Sequence, residues 1–372
     1  MTKYAYGHQV IGELHKLAPK HLAYEGDPIG LQVGNLALPV EKVMVVLDVL
    51  EPVVDEAIAK GVQLIIAHHP MIYRPLKNID TATSQGRMIE KLLRHNITVY
   101  AAHTNLDIAK GGVNDWLAEA LHLEQTSLLQ VTAKETLYKL AVYVPTTHVE
   151  EVKEALAAAG AGHIGDYSHC TFSSEGTGTF KPLEGSQPFL GSQGDIEHVR
   201  EVKLETVLPS NRLSRVLSAM HNVHPYEEVA YDVYELQNEH KTYGIGIVGT
   251  LHEALSFDAF IQHVKGTLGV ASLRAVKGHD RLIKKVAVVG GDGNKFIHAA
   301  LAKGADVLVT GDLYYHTAHD AQYAGLSVVD PGHHIEKIMK PRLCEYLQKA
   351  LAGHYATEVM ASTQSTDPFT FH

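Results

Sequence analysis

The sequence predicts an α/β protein interrupted by an inserted α+β domain of ferredoxin-like plan. Three observations lead there. The first and last thirds alternate short, nearly continuous apolar runs with segments of helical periodicity, the pattern of a parallel sheet covered on both faces. The middle third instead holds two strand–Pro–helix–strand units, with Pro145 and Pro209 64 residues apart, which is a split βαβ plan. Two Gly-rich stretches, 176–194 and 243–249, read as loops or boundaries beside it. The domains expected are 1–127, an insert at 128–248, and 249–372, with the outer two packing together.

The elements follow in order. "KVMVVLDV" (42–49) is a buried-strand candidate, and "EPVVDEAIAKG" (51–61) has helical periodicity ending at a glycine. "VQLIIA" (62–67) is the next strand, 85–96 a helix, "ITVYAAH" (97–103) a strand and 113–123 a helix. In the insert, strand 137–145 leads to helix 147–160, where Thr147 and Glu150 have capping-box spacing. Strand 201–209, helix 210–222 and strand 227–236 complete it. The last third runs strand 284–289, a Gly-rich turn, helix 295–304, strand 305–312, then strand, turn and helix over 326–351.

Composition narrows the function classes. The chain has 372 residues, 45% apolar and 20% charged, which fits a globular protein. Its net charge of −10 disfavours a nucleic-acid backbone as partner, and no Lys/Arg run offsets it. No stretch has the length of a membrane span or the apolar core of a signal peptide. Cys170 and Cys344 are the only cysteines, so a disulfide framework and a Cys-rich zinc cluster are excluded, and a reducing cytoplasm is the simplest compartment. Histidine is the outlier, with 25 residues.

The histidines that matter follow strands. "LIIAHHP" (64–70) runs from a strand directly into His68 and His69. "AAHTNLD" puts His103 at the next strand end and Asp107 four residues on. "DPGHHIEK" places His333 and Glu336 three apart at a helix start, so both can face one way. Each alone has an ordinary reading: a polar loop, a turn residue, a solvated helix start. Together they gather at the carboxyl ends of parallel strands, where open α/β sheets bind ligands. Three histidines and two carboxylates suit Zn²⁺, Fe²⁺ or Mn²⁺, and five donors suit two ions sharing a carboxylate. "VVGGDGN" (288–294) resembles a phosphate loop but lacks the Lys-Ser/Thr ending, so a tight strand–helix turn is expected. "TGDLYYH" (310–316) brings Asp312 and His316 towards the same edge, as residues supporting the ligands or as a helix N-terminus.

The motifs "GDPIGLQVG" (26–34), "AHHP" (67–70), "HTNLD" (103–107), "GGVNDWLAEAL" (111–121), "TGDLYYH" (310–316) and "GHHIEK" (332–337) occur in the order of the Ngg-interacting-factor-three family, also labelled GTP cyclohydrolase I type 2, which the chain resembles. "IGDYSHCTFSSEGTGTFKPLEG" (164–185) and "HPYEEVAYDVYEL" (224–236) resemble the PII-like insert of its longer bacterial members. The resemblance implies two interleaved α/β halves forming a di-metal fold and a toroidal homohexamer. It carries metal ligation onto His68, His69, Asp107, His333 and Glu336. By that pattern Glu336 bridges two divalent ions per chain, zinc first with iron or manganese as alternatives. His69 and Asp107 would complete one ion, His68 and His333 the other. Short members often space the last His and Glu by four residues, where this chain has three.

Three function classes follow. The first is a metal-dependent hydrolase acting on a nucleotide or related heterocycle, with His103 or His316 shuttling a proton; for a GTP cyclohydrolase reaction, water would attack C8 of the purine. The second is a metal carrier or regulator without turnover, with the PII-like insert gating the ring. The third is a purely structural protein.

Overall fold

The computed structural model describes residues 3–238 and 241–370 and divides into two compact units: 1–133 with 243–372, and the insert at 134–242. Among the described residues no helix is long and apolar enough to cross a membrane.

The larger unit holds two mixed sheets whose centres are parallel. In the five-stranded sheet, Glu358–Ala361, Lys42–Val46, Leu64–Ala67 and Thr98–Ala101 run parallel, and Gly30–Val33 closes one edge antiparallel. The central strands are buried on both faces, which is why they read as continuous apolar runs. Met44, Val46, Ile65 and Val99 pack against helices Glu51–Lys60 and Ser84–Arg94. Val43, Val45, Leu64, Ile66 and Tyr100 face a second core that includes Val10 and Leu14 of helix Gly7–Leu17 and Leu343 and Leu347 of helix Met339–Leu351.

The six-stranded sheet has Ser327–Asp330, Val307–Gly311 and Ile283–Asp292 in parallel at its centre. Arg274–Val276 flanks them on one side, and Thr242–Leu255 then Glu124–Lys134 on the other. Two sequence expectations are corrected here. Residues 243–249 are sheet rather than loop, although the unit boundary does fall at their start, and with Glu124–Lys134 they move the insert's limits from 128 and 248 to Lys134 and Thr242. The glycines hid a strand because they lack the side chains on which apolar periodicity depends.

The insert runs Leu137–Pro145, helix Val149–Ala159, Thr171–Phe180, Glu197–Pro209, helix Leu213–Val223, Tyr231–Leu236. Its antiparallel sheet places the fourth strand beside the first, then the third, then the second. This is the βαββαβ ferredoxin-like topology. Leu140, Val142, Val144, Val202 and Leu204 pack one sheet face against Val152, Leu156, Val216 and Met220 of the helices. Residues 176–180, expected as loop, form the end of the second strand. The capping box does not form. The helix begins at Val149, Thr147 Oγ1 meets His148 Nδ1 at 2.8 Å, and Glu150 binds Lys153 instead.

Candidate metal centre

The two sheets of the larger unit contribute their carboxyl edges to one cluster. Val46, Ala67 and Ala101 lie in register, so the chain leaves three parallel strands at one level. His68 and His69 follow the Leu64–Ala67 strand directly, and Asp48 sits two residues beyond Val46. His103 precedes the short helix Thr104–Ile108, which carries Asp107. From the other sheet, Gly311 leads into Asp312, and Asp330 leads into a 3₁₀ helix, His333–Ile338. In a 3₁₀ helix residues three apart eclipse, so the spacing of three sets His333 directly over Glu336.

The Glu336 carboxylate is the hub. Its Oε2 lies 3.0 Å from His69 Nε2, 3.1 Å from His333 Nε2 and 3.7 Å from His68 Nε2. His68 Nε2 is 3.5 Å from Asp107 Oδ1. Potential donor atoms therefore cluster as His69, His333 and Glu336 on one side and His68, Asp107 and Glu336 on the other, with His68, His69 and His103 forming a third group. This exchanges the partition implied by resemblance, which put Asp107 with His69. The reason is local. His68 points inward towards the helix bearing Asp107, and His69 points towards Glu336.

Each imidazole is anchored through Nδ1, which leaves Nε2 aimed into the cluster. His68 Nδ1 donates to the Ala102 carbonyl at 2.9 Å. His69 Nδ1 donates to Asp48 at 2.6 Å, His333 Nδ1 to Asp312 at 2.6 Å and His103 Nδ1 to Asp27 at 2.9 Å. Such outer partners orient metal-binding histidines. Asp48 is itself held by Thr366 at 2.5 Å, and Asp27 by the Thr104 hydroxyl and backbone N–H.

The electrostatics of the cluster are set by its converging imidazoles and carboxylates. Burial disfavours charge on His69, yet its bonds to Asp48 and Glu336 push it up to about 10. The bond to Glu336 outweighs burial at His333 and pushes it up to about 9. Each ring meets a carboxylate at both nitrogens, an aspartate at Nδ1 and Glu336 at Nε2. Burial opposes the Glu336 charge, but the surrounding imidazoles, His333 foremost, hold it well below the carboxylate range. Burial pushes Asp107 up to about 6. His68 Nε2 and Asp107 Oδ1 are buried with no hydrogen-bond partner. Orphaned buried polar atoms are rare and costly, and this facing pair is what an ion would satisfy. The Nε2 atoms of His69 and His333 lie 3.0 and 3.1 Å from Glu336 Oε2, close enough for each pair to share one ion. The all-nitrogen-and-oxygen set fits zinc, iron(II) or manganese(II).

Of the expected residues, the structure gathers His68, His69, Asp107, His333, Glu336 and His103. It does not bring in His316, which is exposed on helix Tyr315–Tyr323 with its ring against Tyr315. The sequence reading missed Asp48, Asp27 and Asn114 as contributors. Asp48 was visible as the acid ending a buried strand. Asn114 shows its role only in three dimensions: its amide N–H donates to the Asp107 carbonyl at 2.9 Å, and its oxygen accepts from Gly290 N–H at 2.9 Å. It ties the two halves of the cluster together. Asn114→Ala strands the buried Asp107 carbonyl and the part-buried Gly290 N–H, with an expected loss of about 1–3 kcal/mol in urea unfolding.

The chain matches the family model described as Duf34/NIF3 (NGG1p interacting factor 3) over residues 5–368. It is 54% identical over 370 residues to a Halalkalibacterium halodurans protein called GTP cyclohydrolase 1 type 2 homolog, covering 99% of this chain and 100% of that one. A Bacillus subtilis protein of the same name is 54% identical over 372 residues, with 100% of both chains covered. Among solved structures, a Bacillus cereus protein related to NIF3 matches with TM-score 0.90 at 53% identity over 100% of both chains. Staphylococcus aureus protein SA1388 matches with TM-score 0.81 at 31% identity over 99% of both.

Proposed function

Since the chain belongs to the Duf34/NIF3 family, we propose that its cluster holds two divalent ions, zinc first among the candidates, in a metal-dependent hydrolase acting on a nucleotide or related heterocycle. The name shared by the relatives points to the substrate class. The observation that carries the reading is the cluster's uneven burial. The side chains of His68, Asp107 and Glu336 are 0%, 10% and 4% exposed, whereas His333 is 38% and His69 23% exposed. Closed metal sites hold structure, and catalytic ones keep an open position. One half is thus a holding site and the other faces solvent.

Bound ions would supply Lewis acidity and lower the pKa of a water. The protein's own residues do the rest. Glu336 spans both halves. Asp48 and Asp312 keep the Nε2 atoms of His69 and His333 aimed inward. The His103 ring lies 5.3 Å from His68 and 5.6 Å from His69, with Asp27 holding its Nδ1 proton, so its Nε2 is placed to move a proton at the substrate. A homohexameric ring with the insert as a PII-like regulatory module belongs to the same proposal. Light scattering of the purified chain should return six copies.

The deciding experiment loads the protein with zinc, iron(II) or manganese(II), verifies the content by elemental analysis, and offers GTP and a panel of phosphoesters. Turnover that requires metal supports the hydrolase. Bound metal without turnover of any of them overturns it. The open half would also suit a metal carrier, and transfer of the ion to an acceptor without turnover would favour that reading. The uneven burial makes a separate prediction. A colorimetric chelator in stopped flow should withdraw metal in two phases, and His333→Ala should remove the fast one. Single-phase release would contradict the division into an open and a closed half.

A further inference from the structure

The insert carries a cavity that the metal centre does not use. Its helices cover only one face of the four-stranded sheet. Strand alternation puts Tyr143 and Glu201 on the other face, with Gly176, Gly178 and Phe180 following on the neighbouring strand. Residues from 180–189 and 226–230 complete a cavity of about 440 Å³ there. That is within the range of small-molecule sites.

Its floor holds a buried acid. Glu201 is 8% exposed, and no lysine or arginine pairs with it among the described residues. Its Oε1 accepts from the Tyr226 hydroxyl at 2.7 Å. Tyr226 is positioned in turn: its N–H donates to His224 Nδ1 at 3.1 Å, and His224 Nε2 donates to the Tyr143 carbonyl at 3.0 Å. Because Nδ1 accepts and Nε2 donates, the ring serves this relay as the neutral Nε2–H tautomer, and burial lowers its pKa in the same sense. Glu201 Oε2 is turned towards Gly178, where an added Cβ would stand 2.1 Å away. The absence of a side chain there leaves room for that oxygen. Around the acid stand aromatic rings, with the Phe180 and Phe189 centroids 6.0 and 6.4 Å from that of Tyr226. Glu227 and Glu228 also line the cavity, and no basic residue does.

We propose that this cavity binds a small organic cation, a protonated amine on an aromatic or apolar body, with Glu201 as its counter-charge and Phe180, Phe189 and Tyr226 as its walls. A buried carboxylate without a counter-ion is costly, and an ammonium group supplies one. Aromatic faces attract the same charge. The three acids repel phosphate, so a nucleotide is the wrong occupant. No metal-centre residue takes part, so this inference stands or falls apart from the hydrolase reading.

The test is a ligand-observed NMR titration of the full chain with phenethylammonium chloride, repeated in Glu201→Gln and Phe189→Ala, with ATP as an anionic competitor. Glutamine retains an acceptor for Tyr226, and Phe189 is 48% exposed, so the second variant does not depend on core packing. Saturable binding that weakens about tenfold or more in both variants, and that ATP does not displace, supports the site. No saturable binding, undiminished binding in either variant, or displacement by ATP overturns it.

Discussion

Exchange of Glu336 for glutamine leaves a folded chain that retains no metal in either half of the centre. The carboxylate is the one group common to the two main donor clusters, and its Oε2 is within 3.1 Å of both His69 and His333. Loss of an outer hydrogen-bond partner alone lowers metal affinity about 10–100-fold, so loss of the shared ligand should exceed that. Elemental analysis should fall from about two ions per chain to near none. The metal-free proteins should differ as well, and in a pH-dependent way. His69 and His333 titrate at about 10 and 9 in the folded state, above their ordinary 6.5. Their stabilisation is fully present below pH 6.5 and is lost as pH rises through 9 to 10. Glutamine removes one of the two carboxylates that raise each of them, leaving Asp48 on His69 and Asp312 on His333. In excess chelator the variant should therefore be less stable than wild type by about 3–5 kcal/mol at pH 6. The gap should narrow steadily towards pH 10. Urea unfolding at several pH values measures it. A gap that does not change with pH would show that Glu336 does not hold those protons.

The donor cluster was legible in outline because its parts sit where strand periodicity stops. A run such as Leu64–Ala67 is continuous in sequence because both of its faces are buried, so its end, and with it His68 and His69, can be located without coordinates. What could not be read is direction. Both adjacent histidines reach the Glu336 carboxylate, and only the placement of the helix bearing Asp107 sets His68 rather than His69 beside that acid, so the donor atoms group differently from the partition implied by resemblance. His316 failed for a related reason. Its motif follows a strand, but the turn after Gly311 and the start of helix Tyr315–Tyr323 carry it outward. The insert's plan was legible from its repeated proline and helix, whereas its second strand was not. "EGTGTF" has glycines where a strand would show its facing side chains, and one of them, Gly178, makes room for Glu201.

The same logic applies to "VVGGDGN", which resembles a phosphate loop and is built for a different reason. Gly290 and Gly291 lie against the Glu336 carboxylate: an added Cβ would stand 3.0 Å from its Oε1 at Gly290 and 2.8 Å at Gly291. Gly291 also has φ of +60°, where an alanine is strained by about 1–2 kcal/mol. Gly291→Ala should therefore carry two penalties, a backbone cost and a displaced ligand. Gly304→Ala isolates the first of them. Its φ is +69° and no atom lies within 4 Å of the added Cβ. Both variants should lose about 1–2 kcal/mol in metal-free urea unfolding, and only Gly291→Ala should also lose metal affinity, by about tenfold or more. Equal metal retention in the two variants would mean that the carboxylate can shift without consequence and that the glycine pair serves only the irregular end of strand Ile283–Asp292. Selective loss at Gly291 would make the Gly-rich loop a steric support for the bridging ligand, which explains why a sequence so like an anion cradle sits on a cluster of histidines and acids.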